Sequence, residues 1–482
     1  MTRTKKITIL FIVLLVLICT LLTVKLVNIH VDKINTTDEI ILSFDKDSVS
    51  SFEITNGEDN LKLIKDDNGS WKVDGLDAFP VSEKLVSDFL NHFCEVHAVF
   101  VVDDVQDYSQ YGLENSTTVA VFNVGDEVKE ISLGDFSQMD SNRYASVNDG
   151  KAYLVEDDLV TYLTCDKDEF MQHDETDEFE SFDELVLSGE DSAYIVYDSD
   201  GIYTYTDKYN YYEISTGNHL VVDDDLVTSY AETAVNLTLT DYASYEASSE
   251  DLAEFGLEEP EKTITVRGKD YDGKDVEMIL YLGKTDSGEK DDVGDPVYNH
   301  YARYDKSEII YNISTYSYDK LIAGSYNSLR PDSLLTLDWD NITGVTFELD
   351  GSTYVITAGT SDDLDEVEDD DENTEADSDS DEDDGTIYIL NGKKIEFDGI
   401  ESSIDDLCVD DFCSGNKVSE KEISFTVFLN NEDYPELAVT LYRFDGENCV
   451  ASLNGTQVGL IPRSDVISLK EALNSIILSM DK

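Results

Sequence analysis

His92, Cys94 and His97 stand within six residues of one another and are the first group in the chain whose types could bind a metal. Their spacing argues against it. The two histidines are five apart, off the four-residue step that places two ligands on one helix face, and neither belongs to an HExxH or CxxC/HxxxH set. Cys408 and Cys413 share a segment, but four residues separate them and no histidine is near. A calcium loop is the next candidate, because Asp377, Asp379 and Asp381 alternate within the run 361–385. It fails at the sixth position, Glu382 in place of Gly, and at the twelfth, Tyr388 in place of Glu. No GxSxG elbow occurs, and carboxylate pairs are too many for any one to be informative. No catalytic residue, metal ligand or cofactor site is nominated.

One recurrent signal remains. Tyr111-Gly112-Leu113 is echoed by Phe255-Gly256-Leu257, each just ahead of an alternating apolar strand. A single Gly, with no Lys and no Ser or Thr in the required places, excludes a phosphate cradle. The motif reads as a helix stop. Gly112 and Gly256 take the left-handed conformation, and Leu113 and Leu257 pack back on the last turn. Asp107 and Ser248 or Ser249 are the expected caps.

The elements around these stops repeat. Placing 71–90 over 212–231 without a gap sets Trp71 on Tyr212, Ser82 on Asp223 as helix caps, and Leu85, Val86 and Phe89 on Leu226, Val227 and Tyr230. Apolar positions persist while polar faces diverge, which a duplicated fold requires. Trp71 and Tyr212 are therefore expected in cores. Each unit reads β-β-β-α-β-β-β-β-α, an α+β module of mostly antiparallel sheet with a packed helix. The expected boundaries are 48–170, 171–330 and 331–482, the last a degenerate copy carrying a disordered acidic insert at 361–385. Residues 361–384 hold 16 acidic and no basic side chains.

Before the units, Ile7–Val24 is an apolar run of spanning length behind Arg3, Lys5 and Lys6. It predicts a transmembrane anchor within 1–30 and a linker over 31–47. It also predicts a single-pass membrane protein with a cytoplasmic N-terminus and the bulk of the chain outside the cytoplasm. The net charge of −73, from 106 acidic and 33 basic residues, argues against nucleic-acid partners and against adsorption on anionic lipid.

The pattern WKVDG…FPVSEKLVSDFL, the YGL and FGLEEP stops, Leu133-Gly134 and Leu282-Gly283 resemble the domain of unknown function 4340 family, although Ser116 stands where that family has Pro. The resemblance covers residues 48 to 320 well and the last 150 weakly. It implies a bacterial cell-envelope protein with no assigned catalytic residues, some relatives being associated with gliding-motility-type ABC transporter auxiliary proteins. Three functions follow as expectations. The first is a non-catalytic binding or assembly module, an accessory of an ABC-type transporter or envelope complex. The second is an acidic cation-binding surface protein, and the third an envelope enzyme with a site between units.

Overall fold

A computed structural model describes residues 38–156, 158–198, 205–215, 220–290, 296–360, 386–412 and 415–480. The chain divides into two compact units, Met1–Asp174 and Glu175–Lys482. The first unit holds one nine-stranded sheet and the second holds two.

The first sheet is built from β1 (Glu39–Ser43), β2 (Val49–Asn56), β3 (Asp59–Lys65), β4 (Trp71–Val73), β5 (Glu95–Val102), β6 (Thr118–Val124), β7 (Glu127–Ser137), β8 (Asn142–Ser146) and β9 (Ala152–Val155). Its order is β1-β5-β9-β8-β7-β6-β2-β3-β4. The second comprises β10 (Ser181–Gly189), β11 (Ala193–Tyr197), β12 (Tyr211–Glu213), β13 (Leu220–Val221), β14 (Tyr242–Ser244), β15 (Lys262–Lys269), β16 (Asp275–Lys290), β17 (Pro296–Tyr304) and β18 (Ile310–Asn312). It runs β13-β12-β11-β10-β15-β16-β17-β18-β14. The third comprises β19 (Ile342–Leu349), β20 (Ser352–Gly359), β21 (Ile387–Leu390), β22 (Lys393–Ile395), β23 (Asp411–Phe412), β24 (Lys421–Leu429), β25 (Glu436–Arg443), β26 (Asn448–Leu453) and β27 (Thr456–Pro462). It runs β22-β21-β20-β19-β24-β25-β26-β27-β23.

Eight positions are common to the three sheets. The strand after the helix (β5, β14, β23) lies beside the last strand of its sheet. A meander then leads to β6, β15 or β24, which pairs with β2, β10 or β19. Only the ninth strand differs: β1 joins beyond β5, whereas β13 and β22 join at the opposite edge. Period-two patterning drives these strands. In β24, Ile423, Phe425, Val427 and Leu429 are buried while the intervening residues are not. At the β26–β27 turn, Asn454 and Gly455 both have positive φ, 50° and 82°, the twist a two-residue hairpin demands.

Helices are few: α1 (Glu83–Asn91), α2 (Asp224–Val235), α3 (Ser249–Glu254), α4 (Thr315–Ile322), α5 (Tyr326–Leu329), α6 (Asp398–Asp405) and α7 (Arg463–Met480). The Ser82 side chain accepts from the Leu85 amide, and Asp223 caps α2 in the same way. Val86 and Phe89 of α1, and Val227 and Tyr230 of α2, are buried at matching positions. Phe89 stacks on Phe52 of β2 at 4.8 Å.

Several expectations need correction. The α+β order had seven strands where each sheet has nine: the helix after Phe79 stops at Asn91 and Glu95–Val102 is β5, whose alternating Val96 and Ala98 are buried, while Glu39–Ser43, expected within the linker 31–47, is β1, paired with β5. The helix expected to close the first unit is replaced by a 3-10 turn, Leu159–Tyr162. The fold is thus mostly antiparallel β-sheet, with every pairing among the described residues antiparallel. The transmembrane helix is corrected as well. No helix among the described residues is long and apolar enough to cross a membrane. The longest, α7, is amphipathic, burying Val466, Leu469, Leu473 and Ile476 along one stripe. Residues 1–30, on which the anchor was expected, lie outside the described residues, as does the insert 361–385. The single-pass placement rested on that helix and is set aside with it.

Candidate functional site: an acidic, aromatic cleft in the second sheet

The residues singled out in the sequence are architectural. Trp71 is buried in β4 against Phe52, ring centroids 5.4 Å apart, and Tyr212 is buried in β12. Gly112 ends a 3-10 turn, Tyr108–Tyr111, with φ 66°, and the Asp107 side chain caps its start at the Ser109 amide, 3.0 Å. Gly256 follows α3 with φ 72°, and a reciprocal capping box joins Ser248 and Asp251. Leu113 and Leu257 are buried, their amides bonded back to the Tyr108 and Leu252 carbonyls.

The two glycine signals meet in space. A Cβ on Gly134 would collide with the Tyr111 carbonyl oxygen, and one on Gly283 with that of Phe255. Likewise a Cβ on Gly112 would lie 2.6 Å from the Asp135 side chain, and one on Gly256 2.9 Å from the Lys284 amide. The aromatic-Gly-Leu stop therefore docks on the Leu-Gly segment of β7 or β16, each glycine against residues flanking the other. In the second sheet the Lys284 amide donates to the Phe255 carbonyl at 3.1 Å. This lock fixes how the loop enters the meander.

A family model described as domain of unknown function (DUF4340) matches residues 71–184 and 213–421, well over half the chain. This protein is a DUF4340 family member. No curated protein and no solved structure matches it. The match begins at Trp71 and takes in both glycine locks of the DUF4340 chain.

A concave surface of this DUF4340 protein lies in the second unit. A cleft of about 900 Å³ opens on the second sheet, between α2 and the segment leading into β10. Helical spacing puts Thr228, Glu232 and Asn236 on one wall, with Val235 beside them. The opposite wall is 176–183, pinned twice. Thr176 Oγ1 donates to the Val235 carbonyl at 2.8 Å, and the Glu180 amide donates to the Lys269 carbonyl at 2.7 Å. Phe179, Phe182, Tyr197, Tyr211 and Tyr271 supply ring surface. Phe179 and Phe182 stack at 5.5 Å, while Tyr197 and Tyr211 meet edge to face at 5.2 Å. The Tyr211 hydroxyl donates to the Phe182 carbonyl at 2.7 Å, and burial, followed by the Asp224 charge, pushes its pKa up to about 12.

Charge in the cleft is one-sided. Asp177, Glu178, Glu180, Asp183 and Glu232 line it, and the one lining cation, Lys269, is paired with Asp275 at 2.5 Å. No histidine or cysteine is among the lining residues. Nor is any group of three His, Cys, Asp or Glu among the described residues placed to hold a metal ion. The histidines that opened the sequence question are dispersed: His92 stacks on Tyr162 at 3.6 Å, and His97 bonds Asp38 and Glu95. Sequence reasoning missed the cleft. Its one local trace is the stretch 177–183, where Phe179 and Phe182 interrupt an acidic run.

Proposed function

We propose that this protein is a non-catalytic binding and assembly module of a larger protein complex, with the cleft of the second sheet as its docking site. The cleft lining carries this reading. It offers five aromatic side chains and five carboxylates around about 900 Å³, with contact surface and charge but no nucleophile held beside a histidine base. Aromatic anchors in a concave, acid-rimmed site are what a protein interface uses for affinity and for partner choice. The resemblance implies that some relatives are associated with ABC transporter auxiliary proteins, which makes transporter permease and ATPase components the first partners to test.

The test compares the full chain with Glu232→Trp, an exposed helix position where the larger ring fills the cleft. Both are used as bait after cross-linking, with partners identified by mass spectrometry. Expected is a defined partner set retained by the wild type and lost by the variant at unchanged thermal melting. The same partners on both baits would overturn the proposal.

A further inference from the structure

We infer that the occupant of the cleft is a basic chain segment, which places a lysine or arginine side chain of a partner protein between the rings and the carboxylates. This rests on the cleft being the docking site and names the chemistry it selects. The argument is charge complementarity. Among the described residues, Asp177, Glu178, Glu180, Asp183 and Glu232 form no ion pair, and Lys269 is already committed to Asp275. A neutral or acidic segment seated there would strip water from carboxylates without replacing it, which is costly. A lysine or arginine replaces that water with opposite charge.

The rings add a second, independent preference. Tyr211 stays a neutral phenol, its hydroxyl turned to the Phe182 carbonyl, and Tyr197 and Tyr271 are 46% and 68% exposed. Ring faces beside carboxylates are the combination that holds an alkylammonium or guanidinium group by cation–π and ionic attraction together. The long stems of these side chains also suit the apolar contact offered by Val235 and Phe182.

A chain with net charge −73 attracts polycations everywhere, so the experiment must separate the site from the field. A capped six-residue peptide with three lysines is titrated into the full chain by calorimetry, alongside the same peptide with every lysine acetylated. Two double variants of equal charge change are compared: Asp183→Asn with Glu232→Gln in the cleft, and Glu250→Gln with Glu254→Gln on α3. Expected is saturable one-to-one binding, lost on acetylation, weakened about tenfold or more by the cleft pair and less than about twofold by the α3 pair. Tyr271→Ala, at an exposed position, should weaken it at least about threefold.

Equal weakening by both pairs would overturn the inference, as would equal affinity for the acetylated peptide. These failures are distinct from failure of the docking proposal. If the partner set still depends on Glu232→Trp while acetylation changes nothing, the docking site stands and its basic preference falls.

Discussion

At the scale of single residues, Gly112 and Gly125 allow two causes to be separated. Both have positive φ, 66° and 56°, but a Cβ on Gly125 would meet nothing within 4 Å, whereas one on Gly112 would meet Asp135 at 2.6 Å. Backbone strain alone costs an L-residue about 1–2 kcal/mol in the left-handed region. Gly125→Ala should destabilise by that amount. Gly112→Ala should cost roughly 1–2 kcal/mol more, because the backbone lock must also open. Urea unfolding of the two variants measures the difference, and equal losses would remove the packing role of Gly112.

His97 offers a pH-dependent counterpart. Hydrogen bonds to Asp38, first, and to Glu95 raise its pKa, and it lies opposite Ile40 where β1 pairs with β5. A histidine with a raised folded-state pKa contributes stability that is complete below the unfolded value of about 6.5 and lost as pH rises through the folded value. Amide exchange in β1, corrected for intrinsic rates, should accelerate above that point, and His97→Gln should abolish the pH step. His300 carries the opposite sign. It is buried, bonded to Thr285 and Thr315 at 3.0 Å each, and burial lowers its pKa. Its contribution is present above about 6.5 and falls away on acidification through the lowered folded value. The buried His300, bonded to two exposed threonines, thus weakens the fold in acid just where the His97 pairing is strongest.

At the scale of elements, the instructive contact is Arg330, at the end of α5. Its guanidinium lies 4.4 Å from the Phe412 ring centre and 5.1 Å from that of Tyr326, tying α5 to β23. Its Nε is buried without a hydrogen-bond partner, and burial lowers its pKa. The cation is therefore held by ring faces and packing, and its desolvation works against it. Arg330→Ala should destabilise the second unit by about 1–3 kcal/mol through lost packing. Arg330→Met, which keeps the volume and removes the buried charge, should recover most of that loss. Thermal melts of the two variants decide it: a methionine variant as unstable as the alanine one would mean the charge itself is needed.

The same scale shows which elements were legible. The paired caps Ser82 and Asp223 and the stops Gly112 and Gly256 are local signals, because a cap or a left-handed glycine acts on backbone within one turn. β5 was not legible as a strand. Glu95–Val102 continues the apolar run of α1, and only pairing with β1 and β9 selects the extended form. The post-helix strands β14 and β23 are shorter still, three and two residues, and exist because β18 and β27 offer them an edge.

For the whole molecule, every sheet draws all nine strands from within one of the two compact units. Residues 175–482 produced alone should therefore fold, with a cooperative melt and the strand-rich circular dichroism of a β protein. A non-cooperative melt would show that the second unit depends on the first. Its cleft should also bind the lysine peptide, since every lining residue lies between Thr176 and Tyr271.

The sequence by itself determined the repetition, the register of the duplicated segments, the helix stops and the acidity, all of which are written in local patterning or in totals. It also carried the family, through the Trp71 strand and the glycine motifs. Only the tertiary structure decided that the sheets are nine-stranded and share the order of eight of their strands, because strand neighbours such as β2 and β6 are set by long-range pairing. The cleft belongs to that second class. Phe182, Tyr211, Glu232 and Tyr271 sit on different elements up to about 90 residues apart, and no one-dimensional pattern couples them until β10 pairs with β11 and β15 and α2 packs alongside.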